Sequence, residues 1–222
     1  PYRVYGGQRF FERLEIKNAL AYMRLILNCH DDVAFERVVN IPPRGIGERT
    51  VDAVREHARN ISISMWSAAK AMIVDKNLNT RSANALAAFL NLINEMTNTL
   101  EALPLSELAE NSIEMSGLIE MHRREKGERG QSRVENLEEL VGACKNFTPE
   151  SIDTPVLAQF LDQVSLEAGE RQANEDQDAV QLMTLHSAKG LEFPLVIMAG
   201  MEENLFPHKM SQNEPGRLEE ER

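Results

Sequence analysis

"VQLMTLHSAKGLEFPLVIMAG", residues 180–200, sets two apolar runs on either side of a polar loop that carries a glycine. The runs "VQLMT" and "PLVIMAG" have the length and continuous apolar character of buried strands, and "LHSAKGLEF" between them is too short for an ordinary long helix. The stretch therefore reads as strand, loop with a short helical turn, strand. A third strand candidate, "YRVY" at residues 2–5, stands at the other end of the chain and stops at the breaker pair Gly6-Gly7. Between these ends, from Phe10 to about Ala168, apolar residues recur three or four apart, as in Ile16, Leu20, Met23 and Leu27 and again in Leu86, Leu90 and Ile93. Breaks near His30-Asp31, at "IPPRGIG", from Asp75 to Asn79, at Leu103-Pro104, at "EKGERGQ" and at "NFTPESIDTP" divide this zone into roughly eight helices. The implied chain is mainly α: a helical domain over residues 10–175, inserted into a partial α/β sheet domain that supplies residues 1–9 and 176–222.

Composition narrows the function classes. The chain has 222 residues, a hydrophobic fraction of 42% and a formal net charge of -11, which fits one large or two modest globular domains. Such acidity argues against indiscriminate polyanion binding, so any contact with phosphate depends on local charge and geometry. Cys29 and Cys144 lie far apart without metal-ligand spacing, which suggests neither a disulfide framework nor a metal site. No apolar run approaches the ~20 residues that span a bilayer, and "PYRVYGG" lacks the features of a leader. A cytoplasmic protein with no membrane contact is expected. A proline at the start and "GRLEEER" at the end read as a piece of a longer protein.

Two stretches carry chemistry. In the first, Thr184, His186, Lys189, Gly190 and Glu192 follow the strand candidate, where ligands of open α/β sheets sit. Lys189 is a point charge for phosphate, Gly190 allows close backbone approach, and Glu192 can accept from a ribose hydroxyl; a solvated loop explains the same residues equally well. The second is "PPRGIGERT", residues 42–50. Pro42-Pro43 ends a helix whose apolar face includes Phe35, Val38 and Val39; Gly45 and Gly47 permit backbone angles closed to other residues. The chain then re-enters a helix near Glu48 that runs through Val51 and Val54 and presents its free N–H groups and positive dipole end. Ile46 suits a plug into the seam between the two helices, while Arg44, Arg49 and the Thr50 hydroxyl flank a position that suits a phosphate. A plain helix-helix turn fits these residues too.

Other features are weaker. "HRREKGERGQSR", residues 122–133, sets five cations against Glu125 and Glu128, either as a second phosphate contact or as a solvated loop. Gly6-Gly7 is a hinge or merely a strand end. Phe10 or Phe11 packs at the domain junction, with Glu12 and Arg13 as surface charges. Trp66 reads as a core anchor, and His30, His57 and His122 as structural or solvated. "MEENLFPHKM", residues 201–210, is either a mobile loop or, on the family resemblance given next, a lining of the parent enzyme's single-strand path.

"TLHSAKGLEF" resembles motif V of superfamily 1 DNA helicases of the UvrD/Rep/PcrA group, and the similarity extends along the chain. "YRVYGGQRFFERLEIKNALAYMRLI" resembles the passage from that family's second RecA-like domain, 2A, into its helical insertion, 2B. "PPRGIGERT" resembles the GIG element of 2B, "GQSRVENLEELV" a helix of the same domain, and "GRLEEER" the lead-in to motif VI. "FFERLEIKNAL" and "MTLHSAKGLEFP" lean toward the UvrD branch.

The resemblance implies a parent enzyme that moves 3′ to 5′ on single-stranded DNA with ATP and magnesium and serves excision and mismatch repair. It implies that Thr184 and His186 face the single strand, that Lys189 and Gly190 lie by its backbone, with Gly190 also beside the nucleotide, and that Glu192 binds the ribose of ATP. Arg44, Gly45, Ile46, Gly47, Arg49 and Thr50 would form a helix-hairpin-helix-like clamp on the duplex backbone. Yet no G-x-x-x-x-G-K-[ST] occurs, so this piece alone is expected to bind no nucleotide tightly, to contain no catalytic residue and not to hydrolyse ATP. The expected partners are double-stranded and single-stranded DNA, with repair proteins besides. A competing expectation is a helical adaptor that recruits repair proteins without touching DNA.

Overall fold

The computed structural model describes residues 2–5, 10–100, 102–125, 127–169, 180–183, 188 and 191–202. The chain divides into two compact units, residues 1–7 with 178–222 and residues 8–177.

In the first unit β1 (Tyr2–Tyr5) pairs in parallel with β2 (Val180–Met183), with Tyr2 opposite Val180 and Tyr5 opposite Met183. A parallel pair requires a long crossover, and here the chain between the strands contains the entire helical unit. A turn forms in the loop after β2, where the Leu191 N–H donates to the Ala188 carbonyl at 3.0 Å. The expected strand at "PLVIMAG" is not formed: residues 194–200 have no ladder, and Leu195, Val196, Ile197 and Met198 are 78%, 65%, 84% and 59% exposed. An apolar run becomes a buried strand only with a pairing edge and covered faces, and the described sheet consists of β1 and β2 alone.

The second unit is all helix. A 3-10 turn (Phe10–Glu12) precedes α1 (Leu14–Leu27), α2 (Asp32–Val38), α3 (Glu48–Asn60), α4 (Met65–Val74), α5 (Thr80–Thr97), α6 (Leu105–Ser116), α7 (Leu118–Arg123), α8 (Glu128–Asn146) and α9 (Val156–Gly169). The fold is thus mainly α, as expected. Helix α1 is apolar around most of its circumference and packs against α2, α5, α6, α8 and α9; Ile16, Ala19, Tyr22, Met23 and Leu25 are wholly buried. Asp31, Ser64 and Asn79 cap α2, α4 and α5 by accepting the N–H groups of Ala34, Ser67 and Ser82 at 2.9, 3.3 and 2.9 Å. Trp66 is a core residue, and Phe35 meets Phe89 edge to face at 5.5 Å.

Two helix breaks come in addition to those expected. Ser64 separates α3 from α4, and Gly117, at a φ of 81°, joins α6 to α7 in the left-handed region. Arg13 is not a free surface charge: its guanidinium donates to Asn136 Oδ1 on α8, and the Asn136 amide donates in turn to buried Glu15 at 2.7 Å. The Cys144 thiol is pushed up to about 12 by burial, which leaves it chemically inert. Among the described residues no group of His, Cys, Asp and Glu could hold a metal ion, and no helix is long and apolar enough to cross a membrane.

Candidate nucleic-acid interface

The turn between α2 and α3 is held by residues of α1, of the turn itself and of the α6–α7 junction. Helix α2 ends at Val38, and the cis Ile41-Pro42 bond leads into the glycine segment. Tyr22, wholly buried on α1, donates its hydroxyl to the carbonyls of Ile41 and, at 3.3 Å, Val38. Burial pushes the Tyr22 phenol up to about 12, so it remains a donor at every physiological pH. Asn40 anchors the turn from inside, its Oδ1 accepting the N–H groups of Arg44 at 2.8 Å and Ile46 at 3.2 Å. The Pro42 ring lies where a Cβ at Gly117 would meet it at 3.7 Å, so the turn also sits on the α6–α7 junction.

The expected site residues divide into those that face out and those engaged within. Ile46 is 1% exposed and fills the seam, as its flanking glycines suggested. Gly45 and Gly47 are exposed, and a Cβ built at either would meet no atom within 4 Å. Only Gly45, at a φ of 78°, needs glycine's freedom; Gly47 has the extended geometry of an ordinary N-cap at a φ of -75°. Among the described residues no side chain caps α3; the Thr50 and Val51 N–H groups donate to the Gly47 carbonyl at 2.9 and 3.2 Å, and Glu48 and Arg49 of the first turn are exposed. Arg49 forms no ion pair among the described residues.

Arg44 and Thr50 have inward partners. Arg44 donates from Nη1 to the Pro42 carbonyl at 2.9 Å and from Nη2 to the Ser116 carbonyl at 2.8 Å, with its guanidinium 5.7 Å from the Tyr22 ring centre and 5.6 Å from that of Phe89. The Thr50 hydroxyl donates to Ser82 Oγ at 3.2 Å, tying the first turn of α3 to that of α5. Thr184, His186, Lys189 and Gly190 lie outside the described residues, as do Gly6, Gly7 and most of 201–210; Glu192 is exposed in the first unit.

The basic stretch at 122–133 is partly neutralised. Arg133 donates from Nη1 to both carboxylate oxygens of Glu125 at 2.7 and 2.8 Å, and Arg124 pairs with Glu120 at 2.9 Å. His122 is buried and shares a 2.7 Å hydrogen bond with Glu125 through Nδ1. Sequence reasoning missed Asn40 and Tyr22. An Asn preceding a proline pair was the available signal, because Asn side chains bond nearby backbone N–H groups in turns.

Residues 1–222 match the family of the UvrD-like helicase C-terminal domain over their whole length. The chain belongs to this family. The chain is 54% identical over 224 residues to DNA helicase II of Escherichia coli strain K12 and 38% identical over 227 residues to the ATP-dependent DNA helicase PcrA of Bacillus subtilis strain 168. All of this chain is covered in both comparisons, but only 31% and 30% of those relatives, so this UvrD-like domain spans about a third of their length.

Proposed function

We propose that this chain is the part of a 3′–5′ ATP-dependent DNA helicase that grips duplex DNA ahead of the motor. The grip consists of the Gly45–Gly47 backbone, the amino end of α3 and Arg49, with the inward-tied Thr50 and Arg44 at its border. The open space where side chains would stand at Gly45 and Gly47, on a helix end that no side chain caps, carries this reading. Backbone N–H groups and a positive helix end meet phosphate without reading bases, which suits an enzyme that must work on any sequence. A chain of net charge -11 avoids holding DNA elsewhere, so the contact stays local and reversible.

The helical unit corresponds on this reading to the 2B insertion, and residues 1–9 and 176–222 to part of 2A, with motif V on the single strand and Glu192 on the ribose of ATP. The phosphate-cradling loop belongs to the rest of the parent enzyme, so the chain alone does not turn over ATP. The test is the affinity of the full chain for a short duplex across salt concentrations. Gly45→Ala/Gly47→Ala, checked for folding, should bind on the order of tenfold more weakly than the unmodified chain, for lost amide contacts of about 1 kcal/mol or more. Unchanged affinity and unchanged salt slope would remove the site.

A second reading, recruitment of repair proteins, is favoured by a cleft of ≈ 390 Å³ between α2 and α3 lined by Val33, Glu36, Arg55, Arg59 and Ile63, with Val33 78% exposed. Capture of a protein partner that Val33→Asp abolishes, with duplex affinity unaltered, would support it.

A further inference from the structure

We infer that Arg44 is a positioning residue of the duplex grip rather than one of its phosphate ligands, and that Arg49 is the cation that meets the phosphate. This inference rests on the duplex-backbone reading above and specifies how the turn achieves it.

Both terminal nitrogens of the Arg44 fork are engaged with carbonyls on opposite sides of the turn, Pro42 in its own segment and Ser116 at the end of α6. The flat guanidinium lies near two aromatic rings, Tyr22 from α1 and Phe89 from α5, and both rings are wholly buried. The backbone N–H of the same residue is held by Asn40 Oδ1. Arg44 is thereby fixed at main chain, fork and face, and it joins α1, α5, the α2–α3 turn and the α6–α7 junction. Its neighbours are carbonyl dipoles and ring faces, and among the described residues no carboxylate is bonded to it. That is how a cation is retained inside a structure for its shape and its five donors.

A lysine has a single ammonium and cannot bridge two carbonyls while lying flat between rings, so charge alone does not replace this residue. Arg49 has the opposite character. It lies in the first turn of α3, exposed and without an ion pair among the described residues, next to the uncapped N–H groups.

The test uses the full chain, a short duplex of arbitrary sequence, and the variants Arg44→Lys, Arg44→Met and Arg49→Met. Positioning predicts that Arg44→Lys and Arg44→Met weaken binding alike, on the order of tenfold, in protein shown to be folded. Arg49→Met should lower the slope of log K against log salt by about 0.9, the loss of one phosphate contact. If Arg44→Lys binds like the unmodified chain while Arg44→Met loses that slope, Arg44 is a phosphate ligand and the inference fails. If both Arg44 variants bind normally and only melt earlier, the residue is structural and the inference fails as well.

Should the Arg44 variants not fold, phenylglyoxal modification of the unmodified chain followed by peptide mapping decides the matter. Arg49 should react in the free protein and be shielded by duplex, and Arg44 should be unreactive in both states. Duplex-sensitive modification of Arg44 would overturn the assignment. Loss of the parent reading looks different: Gly45→Ala/Gly47→Ala would then bind normally and Arg49 would not be shielded.

Discussion

Between two exposed glycines, Ile46 shows how a single side chain can aim a backbone. Its side chain is buried, while the glycines on either side are exposed with open space where a Cβ would stand. Truncation should therefore cost both stability and binding. Ile46→Ala should destabilise the helical unit by about 2–5 kcal/mol, read by denaturant unfolding, since it removes a buried branched side chain and leaves a cavity. A loss under about 1 kcal/mol would mean that the seam closes without the plug. The role of Ile46 was legible because an apolar residue between glycines has few other uses. The internal engagement of Arg44 was not, because in sequence a buried structural arginine and a phosphate-binding one look the same; only the positions of Ser116, Tyr22 and Phe89 distinguish them.

At the scale of elements, caps and junctions determine where helices stop. The break at Ser64 escaped the sequence reading because "ISISMW" keeps an apolar spacing through the turn, yet the serine side chain takes up an N–H of the next helix. Ser64→Ala should cost about 1 kcal/mol in thermal or denaturant unfolding. Gly117 offered a clearer signal, a glycine inside a helical pattern, which can mark a left-handed C-cap. At the α7–α8 junction the hydrogen bond from His122 and then those from Arg133 Nη1 hold the Glu125 carboxyl below its ordinary range. The folded state thus takes up this proton less readily than the unfolded chain. The stability that Glu125 contributes is complete above its ordinary pKa of 4.5 and is lost as pH falls through the lower folded value. Unfolding free energies measured from about pH 6 to about pH 3 should fall less steeply for Glu125→Gln than for the unmodified chain. Parallel curves would show that the cluster contributes nothing to acid sensitivity.

Across the whole molecule, the helical unit was readable from the period of its apolar residues, because one face of each helix is buried within the unit itself. The sheet portion was only half readable. Strands β1 and β2 form where expected, and the structure pairs them in parallel, but the apolar run at 194–200 stays exposed among the described residues. The central claim is that duplex DNA meets a bare turn of backbone. The most direct measurement is a backbone amide NMR titration of the full chain with a short duplex. The predicted result is that the amides of Gly45, Gly47, Glu48 and Arg49 shift first and most, and that added salt reverses the shifts. Saturated binding that leaves those four amides unmoved, with the largest shifts elsewhere, would contradict it.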